Sequence, residues 1–285
     1  VSVSTLFTIE TRTFGLLIFG YGISFLLYFL YLVFPRRLTG RAATSFLVLC
    51  FLAHTVVIIL RYREAQRPPF QTLYESLSWF AWTSTFAYLF AESRRKIRVS
   101  GVIVTAIAAA ACIYANTLSR GVKPLFPALQ SPWFFWHVSV AFASYAIYVV
   151  AFAVEVSYLV ALMPVARGRG AAYGLDRDSL ALYHRMAYNL ILFGFPLLTF
   201  GIWSGAAWAE IAWGRYWAWD PKETWSLITW TVYALYLHAK VTPRWSAGRA
   251  SALNILGFVC MIFTFVGVNW LGKLLGLESL HLYAM

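Results

Sequence analysis

Residues 14–34 read Phe-Gly-Leu-Leu-Ile-Phe-Gly-Tyr-Gly-Ile-Ser-Phe-Leu-Leu-Tyr-Phe-Leu-Tyr-Leu-Val-Phe, without one charged side chain. A helix rises about 1.5 Å per residue, so this run covers the hydrocarbon core of a bilayer. It is too long for a signal-peptide h-region, and no small-residue cleavage pattern follows it, so a retained span is expected. Comparable apolar runs follow at 43–61, 72–91, 98–118, 134–162, 187–207, 224–240 and 250–271. Composition agrees: of 285 residues, 61% are hydrophobic and 12% charged, with a mean hydropathy of +0.67. Soluble domains carry about 25% charged residues, so this chain lacks the polar skin of a soluble domain. Its 19% aromatic content excludes a disordered chain. The missing polar–apolar alternation argues against an outer-membrane barrel. The expected fold is all-α: a polytopic membrane helical bundle of about eight transmembrane helices, forming one membrane domain over 1–285. No linker of biased composition and no internal repeat divides it.

Lysine and arginine number 23 against 11 acids, a formal charge of +12. The basic residues lie between apolar runs, which points to topology control and anionic lipid rather than nucleic acid. Arg36, Arg37, Arg41, Arg94, Arg95, Lys96, Arg98, Arg167, Arg169, Arg177, Arg185, Lys240, Arg244 and Arg249 fall on one side, which is expected to be cytoplasmic. Both termini and the links 62–71, 119–136 and 208–223 are then outward, toward periplasm, lumen or cell exterior. Arg61, Arg63 and Arg67 run locally against that assignment. Cys50, Cys112 and Cys260 each sit in an apolar run without a C-x-x-C pair, so buried packing is expected of them.

The outward link 208–223 and the run after it are unusual. Seven of the 13 tryptophans lie between Trp203 and Trp230, and the link contains Trp213-Gly214-Arg215-Tyr216-Trp217-Ala218-Trp219-Asp220-Pro221-Lys222-Glu223. An interfacial aromatic belt accounts for a few indoles at each membrane face, but not for this density over residues 208–230. Asp220 before Pro221, with Glu223 three positions on, reads as an N-cap and capping box, the main role expected of both carboxylates. The functional reading is a docking floor for a flat, conjugated, largely apolar ligand, since indoles cover such a face at low entropic cost. Haem fits that description and needs axial ligands, most often a histidine nitrogen.

His137, after Pro132-Trp133-Phe134-Phe135-Trp136, and His281, in Leu280-His281-Leu282-Tyr283, share the outward side with the tryptophan link. They could flank one plane as a bis-histidine pair; the plainer alternative is two interfacial histidines. His54 and His238 fall within spans, where an ionisable residue marks function by default. A second bis-histidine site between them is the functional reading, and an interfacial His238 is the alternative. His184 is expected to be solvated. Glu75 and Glu155, also within spans, are expected to be neutral or paired. Arg215 and Lys222 could meet haem propionates, or simply be solvated.

The run from Trp213 through Trp230, continuing Tyr233-Ala234-Leu235-Tyr236-Leu237-His238, resembles the WWD signature of haem-handling proteins. It is most similar to the CcsA/ResC branch of System II cytochrome c biogenesis. The likeness extends to Pro69–Ser76, Ser131–His137 and the histidine tail. It implies haem b carried as a bound substrate, a CcsB/ResB-type membrane partner and apocytochrome c as acceptor. It also implies a location in the bacterial inner membrane or the thylakoid membrane. His137 and His281 match the outward haem ligands and would act in catalysis. His238 matches an intramembrane ligand, with His54 or a partner residue opposite it. Trp213, Trp217, Trp219, Asp220, Trp225 and Trp230 would line the haem-binding segment.

The implied activity is that of a holocytochrome c synthase, which adds two C-x-x-C-H thiols of the acceptor across the haem vinyl groups. Competing readings are a haem exporter or relay without ligase activity, and a transporter of a small aromatic solute. No nucleophile–base pair for acyl or phosphoryl chemistry is evident.

Overall fold

The computed structural model describes residues 3–95, 97–166, 177–242 and 245–275. Every regular element among them is helical. The long helices are α1 (Val3–Val33), α2 (Arg37–Ala65), α3 (Leu73–Arg94), α4 (Gly101–Asn116), α5 (Pro132–Ala166), α6 (Arg177–Trp213), α7 (Pro221–Val241) and α8 (Ala247–Ile262). A π-helical turn, Phe263–Gly267, carries α8 into α9 (Val268–Leu275). Six stretches are long and apolar enough to cross a membrane: α1, α2, Arg98–Asn116, α5, α6 and Ala247–Gly272. α3 and α7 have the length, 22 and 21 residues, but carry more polar side chains. The chain forms the expected all-α membrane bundle, with six stretches apolar enough to span against the about eight expected.

The helices extend past the apolar runs. α1 starts at Val3 rather than 14, and α6 spans Arg177–Trp213 rather than 187–207. Hydropathy marks only the lipid-depth part of a helix, whereas backbone hydrogen bonding continues until a cap or a break stops it. At α1 the added turns bury Glu10.

The chain packs as two compact units, divided between Gln130 and Ser131. In the first, α1 packs on α2 and α4, and α3 packs on α2 and α4, closing a ring of four. Its apolar interior includes Phe14, Tyr21, Leu47, Val57, Tyr88 and Val104. Its buried acids are paired with protein donors, as a region without water requires. Thr72 caps α3 through a capping box with Glu75, whose Oε2 accepts from the N–H groups of Gln71 and Thr72. The same carboxylate meets Arg61 at 3.0 Å and Arg67 at 3.0 Å. Arg61 Nη1 continues to the carbonyl of Arg120 at 2.7 Å, and Gln71 Nε2 to that of Pro124 at 3.0 Å. Glu75 thereby fixes the start of α3 and the link beyond α4. Of the three arginines that run against the charge rule, Arg61 and Arg67 are paired with internal carboxylates. At the other end Glu92 accepts from Tyr28 at 2.7 Å and Arg98 at 2.9 Å, joining α1, α3 and the turn before α4.

The second unit is an up-down ring of α5, α6, α7 and α8. Tyr148 stacks on Tyr233 and Phe152 on Phe258, each pair at 3.9 Å. Gly194 and Gly257 allow this approach, since a Cβ at either would lie 2.8 Å from the Tyr148 or Tyr233 ring. The three cysteines are buried and free, as expected.

Removing a partner from a buried ion pair leaves an uncompensated charge. Glu75→Ala should therefore destabilise the protein by about 3–5 kcal/mol. Thermal unfolding in detergent is the measurement, and a loss as small as that of an exposed ion pair would show that water reaches the cluster.

Candidate functional site

The tryptophan link lies at one end of the second unit, where α6 ends and α7 begins. α6 stops at Trp213 because Gly214 turns left-handed, φ 70°. The chain turns again at Trp219, a non-glycine residue at φ 57°. A bulky side chain there costs on the order of 1–3 kcal/mol and persists only where neighbours hold it. Glu223 is the holding group. Its Oε2 accepts from Ala218 N at 2.8 Å and Asp220 N at 3.2 Å, one on each side of Trp219. Asp220 Oδ1 accepts from Lys222 N at 3.0 Å, completing the capping box with Pro221 at the first helical position. The expected capping roles of both carboxylates are present, and they also aim an indole: Trp219 is 68% exposed, while Asp220 beside it is buried.

The other indoles are anchored. Trp213 meets Trp208 edge-on at 4.7 Å, and Trp217 meets Trp219 edge-on at 5.7 Å. Trp225 packs at 4.3 Å on Phe263, the first residue of the π-helical turn. Trp230 donates its Nε1–H to Thr199 Oγ1 at 2.9 Å and lies against Phe195. Among the described residues Trp217 Nε1 is buried without a hydrogen-bond acceptor, a cost the fold would recover by offering that N–H to a ligand.

His137 stands on the first turns of α5. Its Nδ1 lies 2.7 Å from the carbonyl of Gly201 on α6. A carbonyl only accepts, so Nδ1 carries a proton and Nε2 is the ring nitrogen with a lone pair to offer. The ring lies nearly parallel to Trp208, at 6.0 Å and 16°. Gly205 makes room for it, because a Cβ there would come within 2.6 Å of Nδ1. The sequence had not singled out Gly201, Gly205 and Trp208; a small-residue spacing of four on α6, facing a helix that carries the histidine, was the available signal. His281 lies outside the described residues.

The two intramembrane histidines differ. His238 is exposed on α7, on the same face as Leu227, Ile228, Thr231 and Leu235. Its Nε2 has Thr242 Oγ1 at 3.5 Å. His54 is wholly buried in the first unit, with Tyr21 Oη 2.9 Å from Nδ1 and Ser78 Oγ 3.0 Å from Nε2. Both its ring nitrogens are occupied by hydroxyls, the arrangement of a satisfied core histidine.

His184, expected to be solvated, is instead half-buried and paired. Its Nδ1 lies 3.1 Å from Glu155 Oε1, and Tyr158 stacks on it at 4.9 Å. Glu155 also accepts from Ser251, and from Asn254 Nδ2 at 3.3 Å, tying α5, α6 and α8 together. Sequence position alone had set His184 in a link, whereas α6 begins early enough to carry it into the bundle.

Residues 70–276 match the family described as cytochrome c assembly protein. The chain belongs to that family. Among its relatives, the cytochrome c biogenesis protein CcsA of Guillardia theta is 36% identical over 81% of this chain and 83% of its own length. CcsA of Pyropia yezoensis is 33% identical over 91% and 93%. CcsA of the cyanobacterium Gloeothece citriformis is 35% identical over 84% and 86%. In fold the chain is similar to a solved structure, cytochrome c heme lyase CcmF, at a TM-score of 0.67 and 18% identity. That likeness covers 97% of this chain and 50% of CcmF, so the chain spans about half its length. This member of the assembly family is thus an integral membrane protein of cytochrome c biogenesis. The matched region contains the tryptophan link, His137 and His238.

In this assembly-family chain the capping glutamate should hold the turn at Trp219. Glu223→Ala should cost about 1–2 kcal/mol locally, and amide hydrogen exchange at Ala218 and Asp220 should quicken while the centre of α7 is unchanged.

Proposed function

We propose that this chain takes haem b as its substrate and presents it at the tryptophan-rich end for covalent attachment to apocytochrome c. In this reading it works with a CcsB/ResB-type membrane partner, as a holocytochrome c synthase of the heme lyase type. The observation that carries the proposal is His137: a carbonyl on a second helix fixes its tautomer, a neighbouring indole lies parallel to its ring, and a glycine makes room for it. A solvated interfacial histidine needs none of these supports. They are what an axial ligand needs, since the hydrogen bond on one ring nitrogen orients the other toward the metal.

The chain's residues divide the work. His137 offers Nε2 to the iron, and His281 is assigned the opposite face by family resemblance. Trp213, Trp217, Trp219, Trp225 and Trp230 cover the porphyrin, with the Trp217 N–H as a donor for a propionate. Asp220 and Glu223 act on the loop, holding Trp219 outward. His238 is the intramembrane ligand, and its place on an exposed helix face suits a ligand shared with a partner. His54 would have to shed Ser78 or Tyr21 to bind iron, so a partner residue is the better opposite ligand.

Attachment forms one C–S bond per vinyl group and passes the thiol proton to the adjacent carbon, so no oxidant is consumed. The protein's contribution is positioning, which makes a bimolecular addition local. The acceptor's own histidine must displace one ligand, which requires His137 or His281 to be exchangeable. The proposal places the tryptophan link outward, in a bacterial inner membrane or a thylakoid membrane.

His137→Gly should lose the haem held at this end, and added imidazole should restore its Soret band. Gly205→Ala, which leaves the imidazole in the chain but crowds it off the Gly201 carbonyl, should lower thioether-linked cytochrome about 10–100-fold. Co-expression with the partner and an apocytochrome reads both. Unchanged haem content in His137→Gly would remove the ligand assignment, and haem transfer without thioether formation would make the chain a relay.

A further inference from the structure

The far end of the second unit contains a cavity of about 300 Å³ that the reading above does not use. Lys240, His184, Thr242, Trp245, Ser246 and Ala247 line it. Lys240 is half-buried; among the described residues no carboxylate forms an ion pair with its ammonium, and Glu155, whose charge reaches it, is already engaged by His184, Ser251 and Asn254. Its recorded neighbour is the ring face of Tyr188, 5.8 Å away. His184 cannot swing out to solvent, because Glu155 holds its Nδ1 and Tyr158 covers its ring. That leaves Nε2 as the polar atom of the ring toward the cavity. Ser246 caps α8, so the cavity wall also includes the first turn of a 16-residue helix, where backbone N–H groups lack helical partners. Trp245 supplies an apolar side. A half-buried cation outside any ion pair, an imidazole held by Glu155, helix-start N–H groups and an indole together suit the anionic end of an amphiphile.

The cavity adjoins the intramembrane ligand. Thr242, which lines it, has its Oγ1 3.5 Å from His238 Nε2. We infer that this cavity seats a propionate carboxylate of haem, with Lys240 as its counter-ion, beside the His238 position. The inference rests on the haem reading above and extends it to residues of a second site. Lys240 and His184 bind and orient there without touching reacting atoms. The phosphate of an anionic phospholipid offers the same anion chemistry, and the test separates the two sources.

The full-length protein is placed in phosphatidylcholine nanodiscs and titrated with haem and with haem dimethyl ester, which lacks both carboxylates. The Soret band is the readout, for the unaltered chain, Lys240→Ala and Lys240→Arg. A parallel series contains phosphatidylglycerol. Lys240→Ala should weaken haem binding about tenfold, the loss of one charge-assisted bond. Its affinity for the ester should equal that of the unaltered chain, and Lys240→Arg should bind haem nearly as well as lysine does. Equal haem affinity in Lys240→Ala, or an equal loss for haem and ester, overturns the inference. Phosphatidylglycerol that competes with haem only while Lys240 is present, with no discrimination against the ester, assigns the cavity to lipid phosphate and also overturns it. If the unaltered chain binds neither porphyrin, the haem reading itself fails. If it binds both without discrimination, that reading stands and only the cavity assignment falls.

Discussion

A carboxylate inside a bilayer has no water to solvate it, so it persists only where protein donors surround it. Much of this chain's architecture follows from that requirement. Glu75 gathers Arg61, Arg67 and the start of α3; Glu92 gathers α1, α3 and the turn before α4; Glu155 gathers α5, α6 and α8. Hydrophobic matching alone cannot set the register of one membrane helix against another, because lipid tails are as apolar as leucine. These acids set it, since each can be satisfied in one arrangement of its neighbours. Breaking one strands its partners in a medium where they have no alternative.

Glu223 applies the same principle at the membrane edge. It spends its carboxylate on two backbone N–H groups flanking a left-handed tryptophan. The strain of that turn is held by a capping box that the helix would need in any case. The outcome is an indole directed outward from a rigid helix start, so its position does not depend on loop motion. His137 is treated alike: its ring is oriented by a backbone carbonyl and by close packing. The proposed haem presentation calls for such stiffness, because positioning is most of what such a site can contribute to the rate.

The two units place their histidines in contrasting settings. His54 is closed in by hydroxyls, His184 is locked onto a carboxylate, and His238 is left on an exposed face. The same residue type thus occurs as core, as brace and as an exposed side chain. Residue type gives no means of separating them. The partners that decide each role lie 24 to 33 positions away for His54 and 29 for His184.

Composition and apolar run length were enough to establish an all-helical membrane bundle, because a bilayer admits few backbone arrangements and each span needs a long apolar stretch. The tryptophan run and its capping box were equally legible, since a cap is a contact between residues two to five apart and carries its own local signature. Helix ends beyond the lipid were not, for hydropathy says nothing about them. Nor was the division of the eight long helices into two rings of four. The tautomer of His137, the pairing of His184 with Glu155 and the pairing of Arg61 and Arg67 with Glu75 required the folded chain. Each is a contact between residues on different turns or helices, and such contacts exist only once packing has chosen which faces meet.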